Sequence, residues 1–181
     1  MTIDKKELWD WGKALFIAFL LAFIVRSFLL SPIVVDGESM ESTLEDQERM
    51  IVTKIGEPKR FDIVVFHATE EKDYIKRVIG LPGDRIEYKD DILYVNGIAY
   101  EEPYLDDQKA SITDAPLTES FTLLDTPVKG ETVPKGHVFV MGDNRRISDD
   151  SRDLGAIPMD QIVGTTNVVY WPLSEMRIIR K

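Results

Sequence analysis

Three stretches carry residues whose types suit acyl-transfer chemistry. The first, Val35-Asp36-Gly37-Glu38-Ser39-Met40-Glu41-Ser42-Thr43-Leu44, sets a serine in a Gly-containing turn. A serine hydroxyl is a poor nucleophile until a neighbouring base takes its proton. The chain has two histidines, His67 at the end of an apolar run and His137 in the turn Pro134-Lys135-Gly136-His137. Both positions suit an ordinary strand-end or loop histidine. A lysine can serve as the base if it is neutral when it acts. Lys76 lies in the second stretch, Tyr74-Ile75-Lys76-Arg77-Val78-Ile79, where strand alternation faces it away from Ile75 and Arg77. Reaching a working pKa needs a fall of roughly two to three units from about 10.4, which costs about 3–4 kcal/mol of stability. The plain alternative is a solvated strand lysine. The third stretch is Gly142-Asp143-Asn144-Arg145-Arg146-Ile147-Ser148-Asp149-Asp150-Ser151-Arg152. In it Ser148 could hydrogen-bond a lysine amine and aim it, and Asp150 could pair with Arg152 or Arg145 to brace the loop. An ordinary Asp-rich loop is the competing reading, and the spacing of a calcium loop is absent.

These residues need a scaffold, and the rest of the chain supplies its signals. Residues 1–13 are polar and mixed in charge, and Ala14 to Val25 is wholly apolar. Arg26-Ser27 interrupt, and Phe28-Leu29-Leu30 resume the apolar run. As helix, 14–30 spans roughly 25 Å, at the short end for crossing hydrocarbon. Trp9 and Trp11 would suit a headgroup belt, and Arg26 can snorkel from near the exit. A secretory signal peptide is the rival, but no small-x-small cleavage site follows. A buried helix of a soluble domain would carry a polar stripe that is missing here. The sequence therefore predicts a cytoplasmic tail at 1–13, a single transmembrane anchor at 14–30 and an extracytoplasmic catalytic domain at 31–181.

From Ile33 the pattern is that of strands. Arg49 to Ile55 and Phe61 to Ala68 are β-branched runs separated by Gly56-Glu57-Pro58. Gly80-Leu81-Pro82-Gly83-Asp84 reads as a tight turn leaving the Lys76 strand. Ile86 to Tyr88 and Ile92 to Val95 flank Lys89-Asp90-Asp91, and Asn96-Gly97 then gives the best hairpin signal of the chain. Val138 to Met141 and Ile162 to Trp171 complete the set, with 101–134 a polar, proline-punctuated excursion around Phe121-Thr122-Leu123-Leu124. The fold class is mainly β on one N-terminal helix.

Composition narrows the function. The 181 residues carry a net charge of −10, which disfavours nucleic acid as a partner. The charge is uneven: residues 31–181 hold 29 acidic and 18 basic side chains, while residues 1–30 sum to +1. With no cysteine there is neither a disulfide nor a thiolate nucleophile, and two histidines make a His-rich metal site a poor expectation.

Taken together and in order, the stretches resemble the bacterial type I signal peptidases, most closely the small single-anchor form of Gram-positive organisms. The boxes that carry the resemblance are Ser39-Met40, Arg60-Phe61-Asp62-Ile63-Val64-Val65, Lys76-Arg77-Val78-Ile79-Gly80-Leu81-Pro82-Gly83-Asp84 and Gly142-Asp143-Asn144-Arg145 through Ser148-Asp149-Asp150-Ser151-Arg152. The resemblance implies a coiled antiparallel β-sheet body with an apolar surface near the membrane. It implies Ser39 as nucleophile, Lys76 as general base, Ser148 as the residue that orients the lysine, and Asp150 with Arg152 as loop support. The Ser39 backbone N–H would be one oxyanion donor, and Gly37 stands where some relatives place a second, hydroxyl donor. The lysine points to the bacterial form, since relatives of the endoplasmic reticulum and archaea have histidine there.

The implied substrates are secretory preproteins with small residues at −1 and −3, docked as an added strand, with membrane lipid the other partner and no metal or organic cofactor required. One departure stands out. The family box reads Ser-Met-x-Pro-Thr-Leu, and this chain has Ser42 at the proline position, which leaves the turn freer and adds a second hydroxyl. A non-catalytic paralogue that binds preproteins or a partner is the alternative this departure allows. A self-cleaving repressor-type Ser-Lys protease would need a DNA-binding module in place of the apolar run. A tethered structural β module would make the ordered boxes coincidence.

Overall fold

The computed structural model describes residues 5–24, 26 and 29–179. It opens on a helix, α1 (Lys5–Ile24), followed by β1 (Leu30–Val34), β2 (Arg49–Thr53), β3 (Ile63–His67) and β4 (Asp73–Gly80). Two hairpins follow, built from β5 (Ile86–Lys89), β6 (Ile92–Val95) and β7 (Ile98–Tyr100). The excursion holds a short helix α2 (Asp106–Ser111) and β8 (Phe121–Thr122). The chain then runs through β9 (His137–Met141), α3 (Ser151–Leu154), β10 (Ile157–Pro158), β11 (Ile162–Trp171) and β12 (Arg177–Ile178).

Every strand expected from the β-branched runs is present. So are four that the pattern did not give as strands: β1, which the apolar run concealed, and the two-residue pieces β8, β10 and β12. The strands form an antiparallel sheet in the order β1-β2-β11-β3-β4-β9-β10, with β12 added to β11, and a smaller sheet in the order β7-β6-β5-β8. Both hairpins of the small sheet turn through residues with positive φ, Asp90 (51°) and Asp91 (64°) in one and Asn96 (53°) and Gly97 (80°) in the other. Such primed turns match the right-handed twist of the strands they join.

Alternation along β4 divides its side chains between two cores. Ile79 packs with Ile86, Tyr88, Leu93, Val95 and Phe139, which joins the two sheets, while Val78 packs with Val64, Phe66, Val138 and Val140. A third core of Val35, Met40, Leu44, Met50, Ile63 and Val169 seats the Ser39 turn on the large sheet. The fully buried Met40, next in sequence to Ser39, anchors that turn.

The N-terminal expectation is corrected in part. Residues 5–13, expected as a separate tail, are helical and continuous with the apolar run. Leu30, expected to end the anchor, is instead the first residue of β1, paired with Thr53. Residues 25, 27 and 28 of the expected anchor lie outside the described residues. No helix among the described residues is long and apolar enough to cross a membrane. The physical reason is that α1 spends its first half on Lys6, Glu7, Asp10 and Lys13. Its second half nonetheless leaves Leu15, Phe16, Phe19, Leu21 and Phe23 exposed.

Asp84, in the turn leaving β4, ties the sheets together. Its Oδ2 accepts from the Leu81 N–H at 2.7 Å and from Arg60 Nη2 at 2.9 Å, and its Oδ1 accepts from Asn96 Nδ2 at 2.9 Å. Replacing Asp84 by alanine removes all three bonds from a largely buried site. Asp84→Ala is expected to destabilise the chain by about 2–3 kcal/mol, read as a lower midpoint in urea unfolding followed by circular dichroism.

Candidate active site

Lys76 reaches its position because β4 lies between β3 and β9, with Lys76 in register opposite Val64. Its side chain is almost wholly buried (3% exposed), and its Nζ donates to Ser39 Oγ at 2.7 Å. The Tyr74 ring centroid lies 5.0 Å from the same nitrogen. Burial pushes the amine down to about 8, against the opposing pull of the Asp150, Asp149 and Asp143 carboxylates. Neither histidine belongs to this site. His67 Nδ1 is paired with Asp73 on the exposed surface, and His137 Nδ1 with the Lys135 carbonyl.

Ser39 is held by its turn and by the third stretch. Thr43 and Leu44 both donate their N–H to the Met40 carbonyl at 2.9 Å, closing the turn by backbone bonds with serine, not proline, at position 42. The Asn144 N–H donates to the Ser39 carbonyl at 3.1 Å, and Asn144 Nδ2 to the Glu38 carbonyl at 3.2 Å. Gly37 adopts φ +98°, and its N–H donates to Asp46 Oδ1 at 2.9 Å. That bond engages the Gly37 N–H, and glycine offers no hydroxyl at this position.

The loop from Gly142 to Arg152 packs close behind. A Cβ at Gly142 would lie 2.1 Å from Ser148 Oγ and 2.5 Å from the Ser39 carbonyl oxygen, so only glycine fits. Ser148 is buried, and its Oγ has no hydrogen-bond partner among the described residues. The Ser148–Lys76 bond expected from the sequence is therefore not made in this structure, although loop and lysine are brought to one site. Of the two partners open to Asp150, the structure selects Arg152: Asp150 Oδ1 accepts from Arg152 Nε at 2.8 Å and Oδ2 from Nη2 at 2.9 Å. Oδ2 also accepts from the Gly142 N–H at 2.9 Å.

Two buried ion pairs were not legible beforehand. Arg77 donates to Asp143 through Nε at 2.8 Å and Nη2 at 2.5 Å, both side chains closed to solvent. Arg145 pairs with Glu102 of the excursion at 2.5 Å, again fully buried. The pairs span 66 and 43 residues of chain, and no local pattern signals which partners meet. Among the described residues no group of three or more His, Asp or Glu is placed to hold a metal ion.

A cleft of about 580 Å³ opens onto the Ser39–Lys76 pair. Ile33, Val34 and Val35 line it on one side and Tyr74 and Ile75 on the other. β1 ends the large sheet, and residues 73–76 of β4 pair with β3 alone, since β9 joins only from Arg77. Extended backbone with unpaired edges thus faces the cleft from both sides.

Comparison with known proteins decides the family. Residues 8–171 match the family described as signal peptidase, peptidase S26. The chain belongs to that family. It is 44% identical over 180 residues to signal peptidase IB of Staphylococcus aureus, covering 96% of this chain and 94% of the relative. It is 49% identical over 183 residues to signal peptidase I of Bacillus caldolyticus, covering 97% of each. The crystal structure of a signal peptidase I from Enterococcus faecalis V583 superposes with a TM-score of 0.59 at 41% identity, over 61% of this chain and 97% of the other. The mainly antiparallel β body is thus a signal peptidase body, and the chain is a serine peptidase of the signal peptidase I type.

Burial of Lys76 has a thermodynamic signature. A base whose pKa falls from 10.5 to about 8 on folding makes the folded state resist protonation. Below pH 8 that penalty is fully present, about 3 kcal/mol, and it is relieved as pH rises from 8 towards 10.5, where only the unfolded chain still holds the proton. Lys76→Met, similar in length and uncharged, is expected to be more stable than the parent at pH 7 by up to that amount. The gap should close by pH 10.5, as read from urea midpoints across the range.

Proposed function

We propose that this signal peptidase cleaves preproteins through Ser39 as nucleophile and Lys76 as general base. The observation that carries the reading is the 2.7 Å contact between Ser39 Oγ and an amine almost sealed from water. In the competent state the sense of that bond reverses, and the Ser39 O–H donates to a neutral Nζ. As Ser39 Oγ attacks the scissile carbonyl, its proton passes to Lys76. The tetrahedral intermediate collapses to an ester on Ser39, and the ammonium returns its proton to the departing amine of the mature chain. Water, deprotonated by Lys76, then opens the ester and frees the signal peptide. The backbone N–H of Ser39 is one oxyanion donor. The Gly37 N–H, which donates to Asp46, gives no support to that position as the second.

The unpartnered Ser148 hydroxyl is the group available to orient the amine, and Asp150 with Arg152 fixes the loop that presents it. The free edges of β1 and early β4 support docking of the preprotein as an added strand, with small −1 and −3 side chains turned into the cleft. The exposed apolar side chains on the second half of α1 support a seat in lipid, with the N-terminus cytoplasmic and the β body on the outer side. The steps assigned to Ser39 and Lys76 need neither a metal nor an organic cofactor. The non-catalytic alternative draws support from Ser42 alone, and the turn is closed without the proline.

The test is cleavage of a preprotein by the detergent-solubilised full chain beside Ser39→Ala and Lys76→Ala. The parent should cut after a small-x-small site, with kcat/KM rising through a limb near pH 8 as Lys76 loses its proton. Both variants should fall by at least about a thousandfold. Cleavage that survives Ser39→Ala would overturn the assigned nucleophile.

A further inference from the structure

The excursion at 101–134 reaches the site through several side chains, among them the buried Glu102. Glu102 Oε1 accepts from Arg145 Nη2 at 2.5 Å, from Tyr88 OH at 2.7 Å and from Tyr104 OH at 2.7 Å. Arg145 is held in turn by Tyr88 OH at 2.8 Å and Thr118 Oγ1 at 3.0 Å through Nη1, and its Nε donates to the Gly142 carbonyl at 3.0 Å. The guanidinium therefore links the small sheet and the excursion to Gly142. That glycine is the residue whose Cα faces both Ser148 Oγ and the Ser39 carbonyl.

Stability alone is a weak reason for such a network. A fully buried ion pair is often matched or bettered by apolar side chains of similar volume. This one also leaves Glu102 Oε2 buried without a partner among the described residues. Burial acts to raise the Glu102 carboxyl, yet the charge and bonds of Arg145 prevail and its pKa lies below the ordinary value, so the pair is ionic. What apolar side chains cannot supply is a rigid donor aimed at the Gly142 carbonyl.

We propose that Glu102, acting through Arg145, is a positioning residue of the peptidase, which fixes Gly142 and thereby the spacing between the Ser39 turn and the Ser148 loop. The proposal rests on the Ser39–Lys76–Ser148 reading above. It gives the excursion a part in catalysis without touching substrate.

The test uses Glu102→Gln, which keeps the acceptor for both tyrosines and removes the charge that holds Arg145. In the detergent-solubilised full chain, with active sites titrated by a serine-reactive phosphonate, kcat should fall about tenfold and KM should stay within about twofold. The pH limb near 8 should not move, because Lys76 remains buried as before. A folded Glu102→Gln with parental kcat per titrated site overturns the proposal. If that variant fails to fold, Thr118→Val decides, since it removes one neutral tether on Arg145 at nearly constant volume. A kcat loss of about threefold at unchanged KM is then expected, and unchanged kcat overturns the proposal. Residual cleavage in a Ser39→Ala background would instead overturn the dyad reading, so the two failures are distinguishable.

Discussion

The proposed dyad depends on a lysine amine kept from water. An ammonium in bulk solvent cannot take a proton from serine near neutral pH, and desolvation is what brings Lys76 down to about 8. The surrounding architecture meets that requirement. β4 lies inside the large sheet, and the Ser39 turn, pinned by Met40 and Leu44 in its own core, closes over the lysine. The nearest carboxylates would undo the effect if they bonded Nζ directly. Asp150 instead bonds Arg152 and the Gly142 N–H, and Asp143 bonds Arg77. Of the three acids near the lysine, Asp150 and Asp143 are thus occupied by arginines, and the third, Asp149, is exposed.

The same arrangement explains why so much charge is buried behind a small site. Buried ion pairs contribute little net stability, but removing one partner strands the other, so each pair locks its neighbours into one geometry. Arg77–Asp143 ties the Lys76 strand to the start of the Gly142 loop, and Asn144 ties that loop to the Ser39 carbonyl. Serine and lysine are 37 residues apart in the chain, and their registry is set by these cross-links more than by either local segment.

How far the sequence could be read follows from the range of the forces involved. Strands were legible where β-branched runs alternate, as in β4 and β11, and hairpins where Asn96-Gly97 supplies positive φ. Ser39, Lys76, Ser148, Asp150 and Arg152 were nameable because the boxes occur in family order, and the structure brings them to one place. Partner choice was not legible. Nothing local pairs Glu102 with Arg145, or sends Asp150 to Arg152 in preference to Arg145. The start of the β body was misread because Leu30 is as suited to an apolar helix as to an edge strand, and only pairing with Thr53 distinguishes them. Ser148 shows the limit at atomic scale: its loop is placed beside the lysine, while its buried hydroxyl has no partner among the described residues.

The opposing pull of the acids on Lys76 differs in kind from its burial. Desolvation is a property of the packed interior and is indifferent to dissolved salt. Asp149 is exposed at the cleft, and its attraction for the ammonium reaches partly through solvent. At physiological ionic strength the screening length is about 8 Å, and in concentrated salt it shrinks to about 3 Å. Ionic strength therefore weakens the part of the acids' pull that Asp149 exerts through solvent and leaves the desolvation of Lys76 intact. Added salt thus shifts Lys76 towards its neutral form at a given pH to the extent that Asp149 acts on it through solvent.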